Sequence, residues 1–165
     1  MTKNRVAPPL WREDIDGWLV ALKAGGRSEQ TLLTRRRKMA YAACCLDAGP
    51  YDVTCERITA WFAAQEWKPE TRKAYRNTLS SFFGWLQQMG RRADNPSDGL
   101  PKVKRPRPHP RPCPDKVILA ALAHATPEER LMLRLGAECG LRRGEIGRVS
   151  SDDVMDDLVG HSLVV

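Results

Sequence analysis

A cluster of prolines limits most strongly how this chain of 165 residues folds. Seven of its twelve prolines fall between residues 96 and 114. Because proline fixes φ and lacks a backbone donor, this stretch cannot be helical and favours extended, polyproline-like chain. Basic residues are interleaved with these prolines: Lys102, Lys104, Arg105, Arg107 and Arg111. We therefore predict that residues 96–114 form a stiff basic linker between a domain at 1–95 and another at 115–165. A proline-rich ligand for a signalling domain is the alternative interpretation.

Charge is distributed unevenly along the chain. Residues 1–112 contain 21 Lys and Arg against 11 Asp and Glu, whereas residues 113–165 contain 6 against 9. A basic front half indicates a polyanionic partner, most often nucleic acid, and a solvated surface that maintains solubility is the alternative. The five cysteines form no CxxC pair, and neither an apolar signal segment nor a membrane span is evident. These features predict a cytoplasmic protein with reduced thiols and without a zinc site.

The first ninety residues show helical periodicity, with apolar residues three and four positions apart. This pattern predicts a helix over residues 11–24 and a second helix that begins after Ser28. Thr54 is placed to cap a third helix, and Pro69 to open a fourth that ends at Gly90. Four helices in this length predict a compact bundle. Four tryptophans fall on buried or half-buried faces of it: Trp11, Trp18, Trp61 and Trp85.

Two of these helices carry basic faces that could contact DNA. Residues 35–38 of the second helix are four consecutive cations, of which at most two or three can serve one surface because successive residues point in different directions. The candidates there are Arg35, Arg36 and Lys38. The candidates on the fourth helix, opposite its aromatic side, are Arg72, Lys73, Arg76 and Asn77. Arginine and asparagine can read base edges in the major groove, and lysine neutralises phosphates. Ordinary solvated faces are the alternative.

The second half of the chain predicts further helices and a hairpin. A helix is expected near residues 115–125, and Thr126 with the following proline and two glutamates marks the start of another. The apolar run after that start predicts a helix central to a core. Two strands are expected at residues 153–158 and 162–165, with Gly160 between them and His161 in the turn.

The segment Gly140-Leu141-Arg142-Arg143-Gly144-Glu145-Ile146 completes a larger pattern. Together with the helical front domain, Asn95-Pro96 and the basic proline segment, it resembles the tyrosine recombinase (phage-type integrase) family over nearly the whole chain. The resemblance implies a mainly α protein. A helical-bundle (SAM-like) core-binding domain would be joined by a basic linker to the start of an α-helical catalytic domain with a short β-hairpin.

The same resemblance implies roles for two residues of this segment. Arg142 corresponds to a catalytic arginine of the family, and Glu145 to its acidic helper. A rigid guanidinium suits the task, because it matches the non-bridging oxygens of a pentacoordinate phosphorus and does not lose its proton. A surface ion pair is the alternative reading of Arg142 and Glu145. Arg143 takes the catalytic role if the register differs by one.

Other groups that the family requires are not recognisable here. Its members use a tyrosine that forms a covalent phosphotyrosyl link with DNA, without metal or cofactor, and they assemble as tetramers on DNA. The only tyrosines, Tyr41, Tyr51 and Tyr75, lie in the first domain, and no histidine is followed three positions later by arginine. We therefore expect the amino-terminal part of a recombinase, without an arm-binding domain, monomeric when free, that binds double-stranded DNA without cleaving it. The alternatives are a naturally shortened regulator of recombination and an unrelated helical transcription factor with a helix-turn-helix at 126–150.

Overall fold

The computed structural model describes residues 5–104, 111–157 and 160–164. The chain divides into two compact units, Met1–Arg107 and Pro108–Val165, called unit 1 and unit 2 below. Each unit is described by itself.

The described residues of unit 1 form four helices, three of which start where the sequence signals indicated. The helices are α1 (Pro9–Ala24), α2 (Glu29–Cys45), α3 (Cys55–Ala63) and α4 (Pro69–Gln88). The hydroxyl of Ser28 accepts the backbone N–H of Thr31, and the hydroxyl of Thr54 accepts that of Arg57. Each cap satisfies a donor that the first helical turn leaves without a partner. Pro69 occupies the first turn of α4, so all three predicted starts are confirmed.

The core of unit 1 lies between α1, α2 and α4 and is rich in aromatic rings. Trp11 and Phe82 stack with ring centroids 5.8 Å apart, and Trp18 meets Phe82 edge-on at 5.6 Å. All three side chains are almost completely buried, as is Phe83. Full burial of a large apolar side chain contributes roughly 1.5–3 kcal/mol to folding. The predicted helical bundle is therefore confirmed, and its buried aromatic rings contribute to its stability.

The packed part of unit 1 continues past the fourth helix. Pro96, Ser97 and Leu100 are buried against the bundle. Gly99 passes so close to α3 that a Cβ at this position would lie 2.5 Å from Sγ of Cys55. The burial of Ser97 and Leu100 shows that the first residues of the proline-rich segment belong to the folded unit, and a side chain at position 99 would require Cys55 to shift.

Unit 2 consists of short elements. They are α5 (Asp115–His124), α6 (Pro127–Ala137), α7 (Arg143–Ile146), a 3-10 turn (Ser151–Asp153) and the antiparallel strands β1 (Val154–Asp157) and β2 (Gly160–Leu163). The hairpin is present, but its second strand begins earlier than the sequence indicated. Gly160 and His161 therefore lie in β2, and His161 pairs across the hairpin with Asp156. Leu158 and Val165, at the expected strand ends, lie outside the described residues.

Helix α6 begins as predicted but does not pack as predicted. The hydroxyl of Thr126 accepts the backbone N–H of Glu129, whose carboxylate accepts the backbone N–H of Thr126, so the capping box is confirmed. The expectation that α6 is central to a core is wrong. Leu131 is 57% exposed and Met132 44%, and no residue of unit 2 whose burial is described is buried. An apolar run shows that a helix can be buried, but it does not specify the surface that covers it.

In the described part of the chain, no helix has both the length and the apolar character needed to cross a membrane.

Candidate functional site

The cations of α2 are held in two different ways. Arg36 forms an ion pair with Asp16, with Nη1 2.7 Å from Oδ1. The guanidinium carbon of Arg35 instead lies 5.7 Å from the ring centroid of Trp18, and Nζ of Lys38 lies 5.9 Å from that of Tyr75. Aromatic faces orient these two cations without neutralising them. Among the described residues, neither forms an ion pair with a carboxylate.

The pKa values of Arg35 and Lys38 are both lowered, and no carboxylate among the described residues stabilises their charged forms. Burial lowers the pKa of Arg35, and the nearby charge of Arg27 lowers it further. Burial likewise lowers the pKa of Lys38, with the charge of Arg35 adding to the effect. Nη1 of Arg35 is enclosed and has no hydrogen-bond acceptor in the described structure. A buried donor without an acceptor costs free energy, so a bound acceptor at this place would be favourable.

On α4, two of the four candidate residues hold unit 1 together. The Arg72 guanidinium donates from Nη1 to the carbonyl of Phe62 and from Nη2 to that of Gln65, both at 2.7 Å. Nε of Arg76 donates to the carbonyl of Leu100 at 3.3 Å. Arg72 therefore satisfies carbonyls at the C-terminal end of α3, as basic side chains often do at helix ends. The sequence carried no signal for these contacts, because their acceptors are backbone atoms of other segments.

The other two candidates of α4, and those of the linker, are less constrained. Lys73 and Asn77 make no side-chain hydrogen bond or ion pair to a described residue, and Asn77 is exposed. Lys102 and Lys104 are also exposed. Arg105 and Arg107 lie outside the described residues.

In unit 2, Arg142 and Glu145 form a compact local structure. Arg142 directly precedes α7 (Arg143–Ile146) as its N-cap residue. The carboxylate of Glu145 accepts the backbone N–H of Arg142 at 2.7 Å and its Nη1 at 3.0 Å. Gly140, with φ of 69°, permits the turn that leads into this arrangement. One carboxylate thus fixes both the backbone and the side chain of the arginine.

This arrangement leaves the guanidinium of Arg142 accessible. Its side chain is 86% exposed, whereas that of Glu145 is 26% exposed. The hydrogen bonds from the backbone and side chain of Arg142 hold the pKa of Glu145 below its usual value, so the carboxylate is charged at neutral pH. An arginine oriented in this way can present its remaining N–H groups to a phosphate. Arg143, the alternative, is the first residue of α7 and is also exposed.

The tyrosines of unit 1 are poor candidates for a nucleophile. Burial raises the pKa of Tyr75 to about 12, and its ring stacks on that of Trp67 at a centroid distance of 4.1 Å. Burial and then a hydrogen bond to Asp14 raise the pKa of Tyr51. Within residues 5–104, 111–157 and 160–164, no group of three or more His, Cys, Asp or Glu side chains is placed to hold a metal ion.

Comparisons with known proteins show what the chain is similar to. No family model matches it. Tyrosine recombinase XerC of Chromobacterium violaceum is 29% identical over an alignment of 152 positions. The alignment covers 86% of this chain and 51% of that protein. The integrase of mycobacterium phage Brujita is 30% identical, with a TM-score of 0.58, over 92% of this chain and 53% of that one. Over most of its length the chain is thus similar to a tyrosine recombinase and to a phage integrase.

Solved structures with higher TM-scores show that the chain shares their fold. A lambda integrase tetramer bound to a Holliday junction has a TM-score of 0.74 at 22% identity, covering 92% of this chain and 49% of that one. A lambda integrase dimer bound to a COC′ core site has a TM-score of 0.72 at 24% identity, covering 87% and 43%. The chain spans about half the length of the proteins that it matches.

Proposed function

We propose that this chain is the DNA-binding portion of a site-specific recombinase, and that it holds double-stranded DNA without cleaving it. The observation that carries the proposal is the similarity to two recombinases over 86% and 92% of the chain. The half-buried, uncompensated cations on α2 and α4 (Arg35, Lys38 and Lys73) support it, because DNA binding depends mainly on neutralising phosphates. In the complete protein, we propose a tetramer assembled on DNA.

The proposed DNA surface combines helices α2 and α4 with the linker. Its members are Arg35, Arg36, Lys38, Arg72, Lys73, Arg76, Asn77, Lys102, Lys104, Arg105 and Arg107. Their contacts divide them into two groups. Arg35, Lys38, Lys73 and Asn77 contact DNA directly in this proposal, because no carboxylate of the described structure binds them. Arg36, Arg72 and Arg76 contribute only the N–H groups that their internal partners leave over.

Arg142 has a separate role in the proposal. It binds the phosphate under attack in the complete enzyme, where it stabilises negative charge on the non-bridging oxygens. Glu145 positions it, since its carboxylate contacts both the backbone N–H and Nη1 of Arg142. Neither residue supplies a nucleophile, and the tyrosines of the chain lie in unit 1. In this proposal the chain alone therefore forms no covalent link to DNA.

Fluorescence anisotropy with a labelled duplex tests the DNA-binding claim. The affinity should fall steeply as salt rises from about 50 to 200 mM, because each phosphate contact releases counterions. Lys73→Ala should weaken binding and reduce the salt slope by roughly one contact. Lys23→Ala is the matched control, since Lys23 pairs with Glu29 and lies outside the proposed surface. Absence of binding at low salt would overturn the proposal.

A nicked suicide substrate tests the claim that the chain does not cleave DNA. Such a substrate traps a covalent protein–DNA adduct if a nucleophile is present. Denaturing gel electrophoresis should show the free chain alone. A shifted band that survives denaturation would contradict the absence of a nucleophile.

A further inference from the structure

A groove of about 330 Å³ lies between the first half of α2 and the middle of α4. The polar side chains that matter in it are those of Ser28, Thr31, Thr34, Arg35, Lys38 and Asn77. Ser28 also caps α2, so the positive end of that helix dipole lies at the same place. The groove therefore combines two cations with several hydroxyl and amide groups.

The charge of this groove is not balanced from within. No acidic residue lines it. Arg35 and Lys38 are oriented by Trp18 and Tyr75. Arg36, their neighbour on α2, differs because Asp16 neutralises it. The groove thus carries two positive charges that remain available to a ligand.

One donor near the groove also has no acceptor. Nη1 of Arg35 is enclosed and makes no hydrogen bond to a described residue. Arg35 itself lines the groove. A ligand with several acceptor oxygens and a negative charge satisfies both the donor and the charge.

We propose that this groove is a binding site for a single phosphate group, gripped by Arg35 and Lys38 and fixed by the hydroxyl of Thr31 and the amide of Asn77. The proposal rests on the proposed function, in which the phosphate belongs to the DNA backbone. It assigns one place on unit 1 where a particular backbone phosphate is held. Inorganic phosphate offers the same chemistry and serves as the probe.

The first experiment measures inorganic phosphate binding to the full chain by NMR at constant ionic strength. The Nε–H signal of Arg35 and the amides of Thr31 and Thr34 should shift in a saturable way. Arg35→Gln should raise the dissociation constant at least tenfold. Arg37→Gln is the matched control, because it removes the same charge from the same helix without altering the groove, and it should change the constant less than twofold. Shifts that rise linearly, or equal effects of the two variants, would refute the site.

The second experiment locates the phosphate in DNA with duplexes that carry one neutral methylphosphonate at successive positions. At one position, the substitution should weaken binding of the wild-type chain about tenfold and weaken binding of Arg35→Gln much less. A loss that is equal in both proteins at every position would overturn the assignment. Thr31→Val provides a second test, because it keeps the Arg35–Trp18 contact and removes only a hydroxyl.

The two proposals fail in different ways. Saturable phosphate binding without any DNA binding at low salt would refute the proposed function and leave the phosphate site standing. Normal DNA binding with equal behaviour of Arg35→Gln and Arg37→Gln would refute the phosphate site and leave the proposed function standing.

Discussion

Replacing Arg72 by lysine separates its part in the fold from any part in binding DNA. Its two charged hydrogen bonds, to the carbonyls of Phe62 and Gln65, are both 2.7 Å long. A net hydrogen bond to a charged group contributes about 1.5–3 kcal/mol. Because the Arg72 side chain is partly exposed, solvent screens its charge, and each hydrogen bond should contribute about 1 kcal/mol to stability. Lysine cannot form the two-pronged contact, so the free energy of unfolding should fall by about 2 kcal/mol.

Tryptophan fluorescence is the appropriate assay, because all five tryptophans lie in unit 1. Urea titration of Arg72→Lys should show a lower midpoint with an unchanged slope. In a domain of this size, a loss of about 2 kcal/mol lowers the melting temperature by roughly 10 °C. Duplex affinity, measured well below that temperature, should remain within about twofold of wild type, because the positive charge is retained.

Lys73→Ala is the matched control on the adjacent position of α4. Its side chain makes no hydrogen bond or ion pair to a described residue, so stability should change by less than about 0.5 kcal/mol while DNA binding weakens. The reasoning would be refuted if Arg72→Lys unfolded at the wild-type urea concentration and lost DNA binding. Arg72 would then act on DNA and not on the end of α3.

Three further substitutions or conditions test other parts of the structure. Phe82→Ala removes a completely buried ring and should lower the free energy of unfolding by about 3–5 kcal/mol in the same urea assay. Gly99→Ala places a Cβ against Sγ of Cys55 and should cost about 1–3 kcal/mol, most of which Cys55→Ala should restore; additive effects would contradict the contact. Because hydrogen bonds from Arg142 lower the pKa of Glu145 from 4.5, their contact should be intact above pH 4.5 and lost as pH falls through the folded-state pKa. The NMR shift of the Arg142 amide should titrate accordingly, and an inflection above pH 4.5 would contradict the sign.

Local signals predicted the helix starts well. Ser28, Thr54 and Thr126 each satisfy a backbone donor within three residues, so their effect is contained in a short stretch of sequence. The buried faces of α1 and α4 were also predictable. Periodicity depends on the geometry of one helix. Trp11, Ile15 and Trp18 follow the helical period in α1, and Leu79, Phe82 and Leu86 follow it in α4.

Contacts between distant segments were not predictable from the sequence. Arg72 and Arg76 lie on the polar side of α4, as expected, yet their hydrogen bonds go to carbonyls seven to twenty-four positions away. Every residue has a carbonyl, so no residue type marks these acceptors. The contact between Arg142 and Glu145 differs, because it joins residues three positions apart, and their spacing in the sequence already allowed a surface ion pair.

The exposure of α6 has a related cause. Its apolar residues are those of a buried helix, and the sequence predicted burial accordingly. Burial needs a second surface as well, and α5 and α7, which contact α6, leave Leu131 and Met132 exposed. The hydrophobic pattern thus shows which face of a helix can be buried, while the neighbouring elements determine whether that face is buried.

The position of the unit 1 core along the chain bears on how the protein is made. The buried core of unit 1 is complete at Leu100, and 58 residues follow its boundary at Arg107. Ribosomes add about 5–20 residues per second, and domains generally fold as units in the order of synthesis. The helical bundle can therefore begin to form while unit 2 is still being translated. Unit 1 should already be folded, with its basic surface assembled, before the exposed apolar side chains of α6 leave the ribosome.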